Sequence, residues 1–228
     1  MPRIARIVVP GAPHHLTQQG NNSQDIFFVK DDRRVYLDIL KEQSDIYGLK
    51  LHGYSLMTNH VHQIGTPSQE DSLAKAIGRT HLLYAQYINR LHKRTGHLWH
   101  SRFYSCVLDE RHFWAALRYV ERNPVRAKIV RHAWEYQWSS AAAHVHLVDT
   151  TGLIDIEDWQ KMGQSAKWQE TLRHPDDKGE LARLRLNTHI GRPLGSDGFL
   201  SKIEHALGRR LRPLPVGRPK RVNAHKQK

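Results

Sequence analysis

Alternating and helix-spaced apolar residues divide the first two-thirds of the chain into short elements. His14 to Gln19 reads as a strand that ends in the turn Gly20-Asn21-Asn22. Asp31 to Tyr47 has helical spacing: Val35, Ile39 and Ile46 form a stripe, Leu40 widens it, and Gly48 supplies the stop. Leu49 to Met57 alternates as a half-buried strand does, Thr58-Asn59 makes a tight turn, and His60 to Gly65 returns as the second arm of a hairpin. Asp71 or Ser72 caps a long helix to about His92, whose core face carries Leu73, Ile77, Tyr84 and Ile88. Phe103 to Leu108 is a further strand, and Asp109 caps a helix from Arg111 to about Arg122, stopped by Pro124. The order strand, helix, strand, strand, helix, strand predicts a split βαβ, ferredoxin-like α+β fold: an antiparallel sheet with helices on one face.

Beyond about Val148 the texture changes. Residues 149–190 are polar and helical in pattern, with Trp159 and Trp168 as packing anchors, and read as a helical linker region. Gly191 to Gly195 is a break, Phe199 to Leu207 a short amphipathic helix, and residues 191–228 a basic C-terminal extension. The expected organisation is a main α+β domain over 1–148, the linker region over 149–190 and the basic extension over 191–228.

Charge narrows the partner. The 228 residues carry 35 Lys and Arg against 22 Asp and Glu, a net +13, clustered towards one end. Such a surface attracts polyanions, nucleic acid before an anionic membrane. The single cysteine, Cys106, lies in an apolar run and reads as a buried strand residue, which excludes an internal disulfide framework and a Cys-based zinc site. No signal peptide or membrane-length apolar stretch is present, so a cytoplasmic protein is expected.

Candidate chemistry sits on the second arm of the hairpin. Residues two apart on a strand share a face, so His60 and His62 present two imidazoles side by side. Imidazole is the commonest metal ligand, yet the pair is weak by itself: His144-Val145-His146 repeats it without supporting context. Tyr119 and Asn123 add that context, because four residues on a helix place both on one face. The tyrosine can reach a phosphate, and the amide oxygen suits Mg²⁺ or Mn²⁺.

Four blocks resemble the single-tyrosine HUH transposases. They are Tyr54-Ser55-Leu56-Met57-Thr58-Asn59-His60-Val61-His62, Gly96 to Phe103, Tyr119 to Ala127, and Trp138-Ser139-Ser140. The resemblance is to the REP-associated tyrosine transposases within the insertion-sequence 200-like group. It covers about Pro2 to Ala142 and returns over Gly191 to Lys220. Thr58 stands where relatives usually have Pro, Gln63 where they have an apolar residue, and Gln19 where Arg is common.

The resemblance implies a metal-dependent enzyme that cleaves and rejoins single-stranded or hairpin DNA of REP-like palindromes. Tyr119 would be the catalytic nucleophile that forms a 5′-phosphotyrosine, and His60, His62 and Asn123 the ligands of Mg²⁺ or Mn²⁺. Both domain-sharing dimers and forms that act alone occur among relatives. For DNA contacts, Arg90, Lys93, Arg94, Arg102, Arg118 and Arg122 can neutralise backbone phosphates, and Trp99 and Phe103 can stack on unpaired bases or else serve the core. In the tail, Arg209, Arg210, Arg212 and Arg221 add charge, and Arg218 and Lys220 lie in Gly217-Arg218-Pro219-Lys220, which resembles a minor-groove clamp. The alternative is a catalytically silent DNA-binding protein that retains the fold. A replication-initiation or relaxase-type nickase fits the size and the blocks less well.

Overall fold

The computed structural model describes residues 6–212. Four antiparallel strands, His14–Gln19 (β1), Leu49–Leu56 (β2), His60–Pro67 (β3) and Tyr104–Val107 (β4), lie in the order β2-β3-β1-β4. Helices Lys30–Tyr47 (α1) and Ser72–Leu91 (α2) supply the two crossovers, so the expected ferredoxin-like arrangement is formed. Met57 N–H donates to His60 O at 2.9 Å across the Thr58-Asn59 turn, which closes the β2–β3 hairpin.

The side-chain period of two gives the central strands β1 and β3 two distinct faces. Leu16 and Val61 pack on one face with Leu56, Leu73, Ile77 and Tyr84 beneath α1 and α2. The α1 core stripe is turned by about one residue from the expected one: Tyr36, Leu37 and Leu40 are buried, whereas Ile46 is 60% exposed. Tyr36 earns its buried place through its hydroxyl, which accepts from Gln63 Nε2 at 2.7 Å and lies 3.1 Å from His81 Nε2. That contact also accounts for a glutamine in the middle of β3, since a buried amide is tolerated when paired.

Helices on one face are the expectation for the β1-to-β4 unit, and α1 and α2 satisfy it. The opposite face is closed as well. Glu110–Glu121 (α3) and Lys178–Ile190 (α8) cover it, joined by the short helices Asn123–Arg126 (α4), Ala141–His146 (α5), Ile156–Lys161 (α6) and Ser165–Arg173 (α7). This second core holds Ile64, Cys106, Leu117, Trp159, Trp168 and Leu184. Apolar residues on both sides of a central strand require a cover on both sides. Gly53 permits the close approach of α3: a Cβ there would lie 2.3 Å from Leu117 Cδ1. The segment read as a linker region is thus built into the core through its two tryptophans.

At the far end, Leu194 bonds the β4 backbone at Val107 O (2.9 Å), and Asp197–Leu207 (α9) packs Ile203 with Ile7 and Val107. Arg218, Lys220 and Arg221, with the clamp-like motif, lie outside the described residues. No helix among the described residues is long and apolar enough to cross a membrane.

Buried histidines give the fold a pH dependence. Burial lowers His14 to about 4 and His81 to about 3. Each is therefore neutral when folded but titrates near 6.5 when unfolded. The unfolded chain binds more protons below 6.5, so this stability is complete above pH 6.5 and is lost as pH falls towards 4. The urea midpoint is expected to be lower at pH 5 than at pH 7.5; equal midpoints would contradict the neutral, buried assignment.

Candidate active site

The site is assembled on the second face of the sheet. Register pairs Thr17 with His62 and Gln19 with His60, so His15, His60 and His62 all project towards α3 and α8. The His60 and His62 rings lie 5.2 Å apart and perpendicular. From α3, Tyr119 places its ring edge-on to His62 at 5.4 Å. Asn123 opens α4 after the break at Arg122, and its Nδ2 lies 3.2 Å from His60 Nε2. The four residues singled out from the sequence are therefore brought together, although Tyr119 and Asn123 sit on consecutive helices rather than one.

Hydrogen bonds orient the imidazoles. His60 Nδ1 lies 2.7 Å from Asn59 Oδ1, an acceptor, so the proton sits on Nδ1 and the Nε2 lone pair faces Asn123. His62 Nδ1 lies 3.0 Å from His15 Nε2, and His15 Nδ1 lies 2.8 Å from Thr188 Oγ1 on α8. With His15 donating to Thr188, His62 donates to His15 and keeps its Nε2 lone pair for a ligand. Burial, followed by the Arg126 guanidinium, lowers His60 to about 4 and His15 to about 3; burial also holds His62 well below 6.5, aided by its histidine neighbours. All three are neutral at neutral pH, the state in which imidazole binds metal.

These donors fit a divalent cation. Two lone pairs from neutral imidazoles and one amide oxygen are available, with partners behind them that fix their orientation. Among the described residues no group of three or more His, Cys, Asp or Glu is placed to hold a metal, so the third protein donor would be the amide of Asn123. Rotating that amide by half a turn exchanges its oxygen for the nitrogen now facing His60, an assignment made from the bonding network.

Arginines surround the tyrosine. Arg126 lies with Cζ 4.1 Å from the Tyr119 ring centroid and donates to Asn123 Oδ1 at 3.1 Å. From α8, Arg185 Nε donates to the Tyr119 hydroxyl at 3.3 Å. Asp176 gathers Arg122 (3.1 Å), Arg126 (3.3 Å) and Arg118 (3.8 Å). Arg118 also donates to His174 O and Pro175 O, and Arg122 to Leu172 O. These two expected phosphate contacts are instead spent inside the protein, because the loop after α7 folds over α3.

The aromatics are corrected too. Trp99 Nε1 donates to His81 O at 2.9 Å with its ring 4.3 Å from His81, and Phe103 is buried beneath the Arg6 guanidinium. Both rings serve the core, since the α2 side of the sheet needs their apolar area. Arg90, Lys93 and Arg102 are exposed, and Arg94 donates to Gln24 Oε1 at 2.7 Å. Arg90 lies in the last turn of α2, and the loop that bears the other three reaches the site, because His100 N–H donates to the carbonyl of Gln19, the partner of His60. Arg209, Arg210 and Arg212 follow α9 beyond the other end of β1, and Arg212 is paired with Glu204 and Asp197.

Sequence reasoning missed His15, Arg126, Asp176, Arg185 and Thr188. Arg126 was legible in principle, three residues after Asn123 at helical spacing. His15 needed the β1–β3 register, and the other three depend on how α8 and the preceding loop dock. His144, the decoy, is also explained: it sits on a helix, where residues two apart diverge, and its Nδ1 lies 2.5 Å from buried Glu121.

A family profile described as "Transposase IS200 like" matches residues 12–123. Among solved structures, one described as the REP-associated tyrosine transposase bound to a REP hairpin has a TM-score of 0.56 at 14% identity, covering 68% of this chain and 90% of that one. A crystal structure of a candidate transposase from Deinococcus radiodurans R1 is 20% identical over 56% of this chain and 92% of that one, with a TM-score of 0.37. The comparison with curated proteins gave no match. The first likeness concerns the fold, whereas the profile spans β1 to Asn123 and so includes both histidines and the tyrosine. Over those residues, just under half of the chain, the sequence is similar to the IS200-like transposase family.

Proposed function

We propose that this protein is a transposase that cleaves and rejoins single-stranded or hairpin DNA, of the REP-like palindromic kind, through a 5′-phosphotyrosine. One observation carries the reading: His60, His62 and Asn123 converge beside the Tyr119 ring on one face of the sheet. A Mg²⁺ or Mn²⁺ ion held by those three would polarise a non-bridging phosphate oxygen. The protein's own part is to hold the phosphate beside Tyr119. Its oxygen attacks phosphorus, the 3′-oxygen leaves with the bonding pair and gains a proton through solvent, and a 3′-hydroxyl is released. The phosphotyrosine conserves the bond, so a 3′-hydroxyl can reverse the step without ATP.

Single-stranded substrate follows from the burial of the site, since Tyr119 is only 5% exposed and a duplex backbone would not reach it. The exposed Arg90, Lys93 and Arg102 at the Gln19 edge offer phosphate contacts leading to the site. The test is incubation of the full chain with labelled hairpin oligonucleotides that bear single-stranded flanks. A covalent protein–DNA band that needs Mn²⁺ or Mg²⁺ and is lost with EDTA is expected. Tight hairpin binding with no adduct under any metal would replace this reading with that of a silent DNA-binding protein.

A further inference from the structure

We infer that Arg185 is a catalytic residue of the same reaction, contributed by a helix outside the family-matched segment. The inference rests on the tyrosine chemistry proposed above. Arg185 lies 62 residues beyond the end of the matched segment at Asn123. Yet its Nε–H donates to the very oxygen that would attack phosphorus, at 3.3 Å.

Three features set this arginine apart from a surface side chain that happens to cover a ring. First, α8 is held in place: Leu184 is buried in the second core, Thr188 bonds His15, and His189 stacks on Tyr104 of β4 at 5.0 Å. Spacings of three and four residues put Arg185, Thr188 and His189 towards the same sheet face, so Arg185 is aimed by a docked helix. Second, its charge is uncommitted. Arg118, Arg122 and Arg126 share Asp176, whereas Arg185 has no carboxylate within 4.0 Å among the described residues. Third, it is exposed while its target is buried, so its guanidinium is open to a phosphate that enters from solvent.

The chemistry suits a guanidinium. It has donors only and does not give up its proton, so it cannot be the base. It can hold negative charge on the phenolic oxygen and on a non-bridging phosphate oxygen together, by charge-assisted hydrogen bonds. In the forward step the phenolic oxygen forms the new P–O bond, the P–O3′ bond breaks, and the phenolic proton passes through solvent to the departing 3′-oxygen. In the reverse step the same guanidinium stabilises the departing phenolate. Arg185 thus lowers the barrier in both directions.

The experiment compares single-turnover adduct formation by wild type, Arg185→Gln and Arg185→Lys at saturating protein and Mn²⁺. Hairpin affinity is measured separately for each change in a Tyr119→Phe background. Arg185→Gln should slow adduct formation by about 10²-fold, as loss of one charged donor at a reacting oxygen does. Affinity and melting temperature should hold near their wild-type values, and Arg185→Lys should recover part of the rate. A wild-type or faster rate for Arg185→Gln would overturn the inference and make α8 a cover over Tyr119. A loss of rate matched by an equal loss of affinity would reduce Arg185 to a binding contact and also overturn it. Absence of any adduct from wild type would instead sink the tyrosine chemistry, and this inference with it.

Discussion

Tyr119→Phe should eliminate the covalent protein–DNA adduct, lowering its yield by more than about 10³-fold, as removal of a nucleophile does. The change deletes one oxygen. Among the described residues that hydroxyl takes one hydrogen bond, the 3.3 Å bond from exposed Arg185, so folding should lose no more than about 1 kcal/mol. The ring contacts with His62, His15 and Arg126 are kept. Hairpin binding should therefore survive, and the variant should still bind Mn²⁺ through His60, His62 and Asn123. Denaturing gels read the adduct, and anisotropy with the labelled hairpin reads the binding. Undiminished cleavage by the variant would remove Tyr119 from the reaction and point to a metal-activated water. Loss of cleavage together with a melting temperature many degrees lower would mark the tyrosine as a core residue whose hydroxyl matters to folding.

The second large effect concerns stability. Glu121, two residues beyond Tyr119, is fully buried, and each of its oxygens is used. Oε1 accepts from Ser140 Oγ at 2.5 Å and faces His144 Nδ1 at 2.5 Å, while Oε2 accepts from Trp168 Nε1 at 2.8 Å. His144 in turn stacks on Trp159 at 3.9 Å, and Trp159 Nε1 donates to His144 O at 3.1 Å. One carboxylate thus ties α3 to α5, α6 and α7. Glu121→Ala would leave the buried His144 Nδ1 and Trp168 Nε1 without this partner around a cavity, Ser140 retaining Tyr54 O, and should cost roughly 3–5 kcal/mol. Glu121→Gln keeps the shape and one acceptor oxygen and should cost less. Urea denaturation compares the two, and an alanine variant with the wild-type midpoint would contradict the network. Because α3 carries Tyr119, the alanine variant should also lose adduct formation, with a fall in stability that Tyr119→Phe does not show.

Both predictions turn on residues whose legibility in the sequence differed. The place of Tyr119 beside the histidines was readable because the spacings are local: a strand period of two pairs His60 with His62, and a separation of four residues relates Tyr119 to Asn123. Glu121 was not readable as a core residue. Its charge assigns it to a surface until Ser140 and His144 of α5 with its cap, and Trp168 of α7, are folded against it. Trp99 and Arg122 failed in the opposite sense. Their side chains suit nucleic acid as well as they suit packing, and only His81 and Asp176 decide between the two uses.

Local order along the chain was sufficient for β1 to β4, the crossovers α1 and α2, the hairpin turn and the shared face of His60 and His62, since each depends on propensities and periodicities within about twenty residues. Tertiary structure decided the rest. The β1–β3 register set His15 behind His62, and the docking of α8 brought Thr188 to His15 and Arg185 to Tyr119. Those contacts join residues 47 to 173 positions apart, and no pattern within one element encodes them. They arise because both faces of the central strands are apolar enough to demand cover, and the cover on the second face is drawn from the C-terminal half of the chain.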